Sequence, residues 1–135
     1  MMRALAMRLY HLGMDVAMQG DMACPPVHQG DVLFVSAGPG YLSTVAALMA
    51  QAQSAGAQTF LLTAEPEAIL AQSADLVLTI PAQTMARDIG SDRVLPMGSV
   101  FEGAMFVLFE LMVLRLRDLR GETVESMRAR HTNLE

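Results

Sequence analysis

The sequence predicts an α/β domain built on a parallel sheet, and three observations carry that prediction. Short β-rich apolar runs at 31–36, 59–63 and 76–80 alternate with helix-patterned segments, the signature of β-α-β units. Turn formers or prolines follow each run: Gly38-Pro39-Gly40, then Pro66, then Pro81. Apolar residues fill 53% of the 135 positions, enough for one core between a sheet and its helices, so a single domain over 1–135 is expected.

Each element has its own local reason. Residues 3–12 place good helix formers around apolar positions three and four apart, and Gly13 stands where a helix C-terminus favours it. A short strand is expected at about 15–18, followed by a loop punctuated by Gly20, Pro25, Pro26 and Gly30. Asp31-Val32-Leu33-Phe34-Val35-Ser36 is continuous and β-rich, as in a strand buried on both faces, and is expected to be central. Leu42 to Ala55 reads as a helix closed by Gly56, and Pro66 to Ser73 as a short helix. The connection from Pro81 to Gly98 is polar in its middle, with Arg87, Asp88, Ser91, Asp92 and Arg93, and suits the rim of a site. Ser99 to Arg120 forms the longest helix, apolar nearly all round in its first half, which implies burial against more than one surface. Glu122 to Arg130 adds a last polar helix.

Composition narrows the function classes. With 17% charged residues and no Trp, the chain is expected to bury apolar surface in a homo-oligomer as well as in its core. Val100 to Leu114 is broken by Glu102, Gly103 and Glu110, so no membrane span is expected. The N-terminus lacks the three regions of a signal peptide and Cys24 has no intrachain partner, which fits a reducing cytoplasm. Every basic residue other than the three histidines is an arginine, which excludes a lysine Schiff base and any lysine phosphate clamp. The net charge of −5 and the scattered arginines argue against nucleic acid. No histidine pair has metal-ligand spacing, Cys24 beside two prolines is no zinc signature, and Gly38-x-Gly40 lacks the rest of a dinucleotide fingerprint, so neither metal nor other cofactor is expected. The twelve methionines read as adaptable packing. His11 reads as a packing residue on an apolar helix, and His28 as a loop residue without a role.

Ser99-x-x-Glu102 has the spacing of a capping box, in which the serine accepts from the N–H of residue 102 and the glutamate from that of residue 99. Its surroundings give the carboxylate a second reading. Ala6-Met7-Arg8-Leu9 with His11-Leu12-Gly13, then Leu95-Pro96-Met97-Gly98-Ser99-Val100-Phe101-Glu102, then Arg130-His131-Thr132-Asn133-Leu134-Glu135, resemble the segments of the 6-phospho-3-hexuloisomerase family of SIS (sugar isomerase) domains. The resemblance covers essentially the whole chain. It implies a three-layer α-β-α sandwich with a flavodoxin-like parallel sheet and a tetrameric or dimeric assembly. It also implies metal-independent interconversion of ketohexose 6-phosphates through an enediol.

By that resemblance Glu102 is the proton acceptor, which partial burial by Phe101 and Met97 would assist, and His131 is a second catalytic group that reaches a neighbouring subunit's site. Ser36, Gly38, Gly40, Ser43, Thr44, Arg8 and Thr63 are the expected substrate and phosphate ligands. Members of the family begin with a further helix and a strand ending in a Gly-Arg-Ser-Gly-like turn. This sequence opens at the helix that follows, so a sheet shortened on its N-terminal side is expected. The loop Ser36-Ala37-Gly38-Pro39-Gly40-Tyr41-Leu42 also departs from the family. Ala37 and Pro39 stand where hydroxyls are expected, and Tyr41-Leu42 replaces Glu-Thr. Backbone N–H groups and the helix dipole would still favour an anion there, with Pro39 removing one donor. Two other readings follow from these losses: a non-catalytic SIS module that binds a sugar phosphate, and a degenerate structural oligomer.

Overall fold

A computed structural model of the chain describes residues 1–88 and 95–134. Ser91, Asp92 and Arg93 of the expected rim, and Glu135 of the last motif, lie outside them. The chain forms two compact units: a sheet unit of residues 26–104, and a helical unit of residues 1–25 and 105–135.

In the sheet unit, strands β1 (Val32–Ser36), β2 (Gln58–Thr63) and β3 (Leu76–Thr79) form a parallel sheet in the order β1-β2-β3. Leu33 stands opposite Thr59, and Leu61 opposite Val77. The expectation that 31–36 is central is corrected here: β2 is the middle strand, and β1 pairs only with β2 among the described strands. Thr59, Leu61, Leu62 and Thr63 of β2 are buried, whereas only Val35 of β1 is. Val32 to Val35 are apolar because one face of β1 packs on α2, while among the described strands one of its edges is unpaired, a distinction that hydropathy does not encode.

Helix α2 (Ser43–Ser54) turns Val45, Met49 and Ala52 inward, a spacing of three and four residues. Val45 and Met49 close a core with Val35, Ala37, Leu61, Leu70 and Ala71, the last two on helix α3 (Ile69–Ser73). At the amino end of the sheet Asp75 accepts from the Thr59 N–H and hydroxyl at 2.7 Å each, and the hydroxyl bond foremost lowers its carboxyl pKa. A 3₁₀ turn at Met85–Arg87 follows β3.

The helical unit contains helix α1 (Met2–His11), residues 105–120 of helix α4 (Ser99–Arg120), and helix α5 (Val124–Ala129). Gly13, with φ +71, ends α1 as expected, and residues 14 to 18 have no ladder partner among the described residues, so the strand expected there is corrected to an unpaired segment. Burial alternates along it, which is what made it read as a strand. The end of α1 is closed by distant arginines. Arg120 donates to the carbonyls of Leu12 and Gly13 at 3.1 and 3.2 Å, and Arg130 donates to that of His11 at 2.8 Å. Glu122 orients Arg130 through a two-pronged pair at 2.8 and 3.0 Å. That pair, with the Ser126 hydroxyl, holds the Glu122 carboxyl down at about 2.

Along α4, Phe101, Met105, Phe109 and Val113 are buried at intervals of four. Phe106, Val107, Leu111 and Leu114 remain exposed, an apolar side of the helix without full cover among the described residues. Among the described residues no helix is long and apolar enough to cross a membrane.

Candidate functional site

The sequence-named residues fall into two groups. Ser36, Gly38, Gly40, Ser43, Thr44, Thr63 and Glu102 belong to the sheet unit, and Arg8 and His131 to the helical unit.

In the sheet unit the chain leaves β1 at Ser36 and turns tightly, with the Gly40 N–H donating to the Ala37 carbonyl at 2.9 Å. Two glycines are required there for different reasons. A Cβ on Gly38 would stand 3.0 Å from the Phe101 ring, and one on Gly40, whose φ is +92, would stand 2.8 Å from the Cβ atoms of Ala68 and Glu65. The turn delivers the start of α2 with Ser43 and Thr44 exposed. No described side chain caps that helix, and the N–H groups of its first turn have no intrahelical acceptor. Ser36 is half-buried behind them.

Thr63 takes another part. It is fully buried, its hydroxyl donates to the Ala37 carbonyl at 2.8 Å and accepts from the Glu65 N–H at 3.0 Å. Its one proton is committed to the loop, which it helps to shape.

Glu102 stands in the first turn of α4. The capping box that its spacing suggests is not formed: the Ser99 hydroxyl donates to the Pro96 carbonyl at 2.6 Å, and the Glu102 N–H bonds to the Gly98 carbonyl at 3.2 Å. A box of that kind forms at α5 instead, between Thr123 and Ser126. The expected shielding of Glu102 is also corrected. Phe101 turns into the core against Gly38 and Met97 is 69% exposed, so the Glu102 side chain is open to solvent. It has no hydrogen-bond or ion-pair partner among the described residues.

Leading into this helix, Met97 adopts φ 59, a conformation rare for a residue with a side chain, and its N–H bonds to Asp88 at 2.6 Å. Asp88 also accepts from the Gln83 side chain, and the Gln83 carbonyl accepts from the Phe101 N–H at 3.3 Å. Gln83 and Asp88 therefore tie the segment after β3 to the helix that carries Glu102. Glu65 and Arg87 form an ion pair. Sequence reasoning named Arg87 only as part of a polar rim and did not name Glu65.

The helical unit holds a cavity of about 640 Å³ lined by Arg8, His11, Arg117, Arg128, His131 and Thr132 over an apolar floor that includes Val113 and Met127. Arg8 pairs with Glu110 at 2.9 Å, while its Nε is buried without a hydrogen-bond partner among the described residues. The His131 ring lies 5.2 Å from that of His11, centre to centre, and its Nδ1 is 3.0 Å from the Thr132 carbonyl. A carbonyl oxygen only accepts, so Nδ1 is the donor in that contact. Among the described residues no carboxylate lines this cavity, so its lining favours an anion.

Residues 10–108 match the SIS domain family. The chain is 38% identical to the 3-hexulose-6-phosphate isomerase of Mycobacterium gastri, covering 99% of this chain and 67% of that protein. It is 31% identical to the protein of the same name from Bacillus subtilis strain 168, covering 100% and 74%. Among solved structures, a Methanococcus jannaschii protein for which a 3-hexulose-6-phosphate isomerase function was inferred superposes with a TM-score of 0.84 at 23% identity. That superposition covers 98% of this chain and 71% of the other, and establishes the fold.

Proposed function

Because the chain belongs to the SIS domain family, we propose that it is a phosphosugar isomerase of the 3-hexulose-6-phosphate isomerase type, with Glu102 as the proton acceptor. The observation that carries this reading is the solvent-open Glu102 carboxylate at the start of α4, without a partner among the described residues, in the same unit as a glycine turn and a helix N-terminus that no described side chain caps. A carboxylate so exposed is able to take a proton, and the first-turn N–H groups of α2 favour a phosphate.

In the proposed reaction Glu102 removes the proton from the carbon beside the ketone, and the electron pair of that C–H bond forms the enediol double bond. The former carbonyl oxygen is protonated, the neighbouring hydroxyl gives up its proton, and the original carbonyl carbon is protonated in turn, so the ketone moves by one carbon with no net redox change. His131 suits the transfer between oxygens. Following the family resemblance, it is supplied by a second copy of the chain in a homo-oligomer. The exposed apolar side of α4, with Phe106, Val107 and Leu111, offers surface for that assembly. Ser36, Gly38, Gly40, Ser43 and Thr44 contribute the phosphate side of the site, and the chemistry needs no metal or other cofactor.

Turnover of 3-hexulose 6-phosphate by the purified chain tests the reading, with fructose 6-phosphate as the expected product. Folded protein that shows none at any enzyme concentration sinks it. One observation favours a second reading, a non-catalytic module that binds a sugar phosphate: loop 36–42 carries Ala37 and Pro39 where hydroxyls are expected. Saturable binding without turnover would select it.

A further inference from the structure

If the sheet unit holds a phosphosugar, it must neutralise a dianion with few means. The loop after β1 offers backbone N–H groups but no hydroxyl between Ala37 and Leu42 except the Tyr41 phenol, and the chain contains no lysine. Among the described residues of this unit Arg87 is the only arginine. His28 lies in the loop that enters β1 and so belongs to the opposite, amino edge of the sheet. Ligands of open parallel sheets sit outside the carboxyl ends of the strands.

Arg87 is at that edge. A cavity of about 370 Å³ is lined by Ala64 and Glu65, just past the end of β2, and by Pro81, Ala82, Gln83 and Arg87, past the end of β3. On one side it adjoins the glycine turn, since Glu65 is the residue a Cβ on Gly40 would strike. On the other it adjoins the base-bearing helix, since the Gln83 carbonyl holds the N–H of Phe101, one residue before Glu102. The two members of the Glu65–Arg87 pair differ in freedom. The Glu65 side chain is 18% exposed and the Arg87 side chain 72%. The acid is anchored, and the guanidinium at the mouth of the cavity is free to turn.

We infer that Arg87 binds the phosphate of the substrate and that Glu65 is its resident counter-ion in the unliganded chain; this rests on the phosphosugar reading above. The planar guanidinium offers a phosphate two parallel N–H donors, which replaces the side-chain hydroxyls missing from loop 36–42. Asp88, bonded to Gln83 and to the Met97 N–H, fixes the turn that presents it. Glu65 keeps the cavity from retaining adventitious anions and yields the guanidinium only to a ligand that other groups also hold.

The test is calorimetric titration of the full chain with fructose 6-phosphate and with inorganic phosphate, on wild type, Arg87→Gln, Arg87→Lys, Glu65→Gln and Arg8→Gln, each checked for an unchanged circular dichroism spectrum. Arg87→Gln is expected to raise both Kd values about ten- to a hundredfold. Arg87→Lys should recover part of the loss, and Glu65→Gln should tighten inorganic phosphate several-fold by removing the competitor. In turnover, Arg87→Gln should raise KM far more than it lowers kcat. Wild-type affinity in Arg87→Gln, or a loss confined to Arg8→Gln, overturns the inference and leaves the isomerase reading standing. A wild type that binds neither ligand overturns both.

Discussion

Leu61 lies fully buried at the middle of the sheet unit, packed among apolar side chains from β1, α2 and α3, whereas the helical unit closes the end of α1 with the guanidinium groups of Arg120 and Arg130. The sheet unit is stabilised by apolar burial and carries one arginine among its described residues. The helical unit holds seven of the chain's nine arginines, and three of them line one cavity. The difference teaches where each kind of perturbation should act. Volume changes should damage the sheet unit, and pH should act on the helical unit. The proposed chemistry divides the same way, with the proton acceptor in one unit and the histidine beside a cationic cavity in the other.

Leu61→Ala should produce the largest stability effect. Removing that side chain from the centre of β2 is expected to cost about 2–5 kcal/mol, nearly independent of salt and of pH, read from urea unfolding. An equal cost from an exposed residue such as Leu119 would break the comparison. Next comes Gly40→Ala, which combines an unfavourable φ of +92 with contact at 2.8 Å against Ala68 and Glu65, and is expected to cost about 1–3 kcal/mol and to weaken phosphosugar binding together with stability.

Arg130→Gln should have a smaller effect on thermal unfolding, but one that depends on pH. The Glu122 carboxyl is held at about 2 in the folded chain, chiefly by Arg130, against an ordinary value of 4.5. A group whose folded pKa is lowered contributes stability above its unfolded pKa and loses that contribution as pH falls toward the folded one. The wild type should therefore lose Tm relative to Arg130→Gln between about pH 4.5 and pH 2. Parallel curves through that window would remove the charged closure from the account.

The local elements were legible because their causes are local. Alternating runs and turn formers located β1, β2, β3, α2 and α4, and Gly13 marked the end of α1. What escaped has its causes far away in the chain. Arg130 reaches His11 across 119 residues and Arg120 reaches Leu12 across 108, so no window of sequence reveals that they cap α1. Strand order escaped for a related reason: the 31–36 run is as apolar as a central strand, yet it is Thr59 and Thr63, two polar residues, that lie fully buried in the true centre. Their hydroxyls are satisfied by Asp75 and by the Ala37 carbonyl, partners that a hydropathy pattern cannot supply. At the candidate site the capping-box spacing of Ser99 and Glu102 misled, because the Ser99 hydroxyl found the Pro96 carbonyl first. The Glu65–Arg87 pair was not visible in the sequence, where only Arg87 stood out as part of a polar stretch, since its two members follow the ends of different strands.

The most direct test of the central claim is steady-state conversion of 3-hexulose 6-phosphate by wild type and by Glu102→Gln at matched fold and assembly state. Loss of the proton acceptor is expected to lower kcat by about 10²–10⁴ while fructose 6-phosphate still binds with nearly unchanged affinity. An active wild type whose rate survives Glu102→Gln would contradict the account by placing the proton acceptor elsewhere.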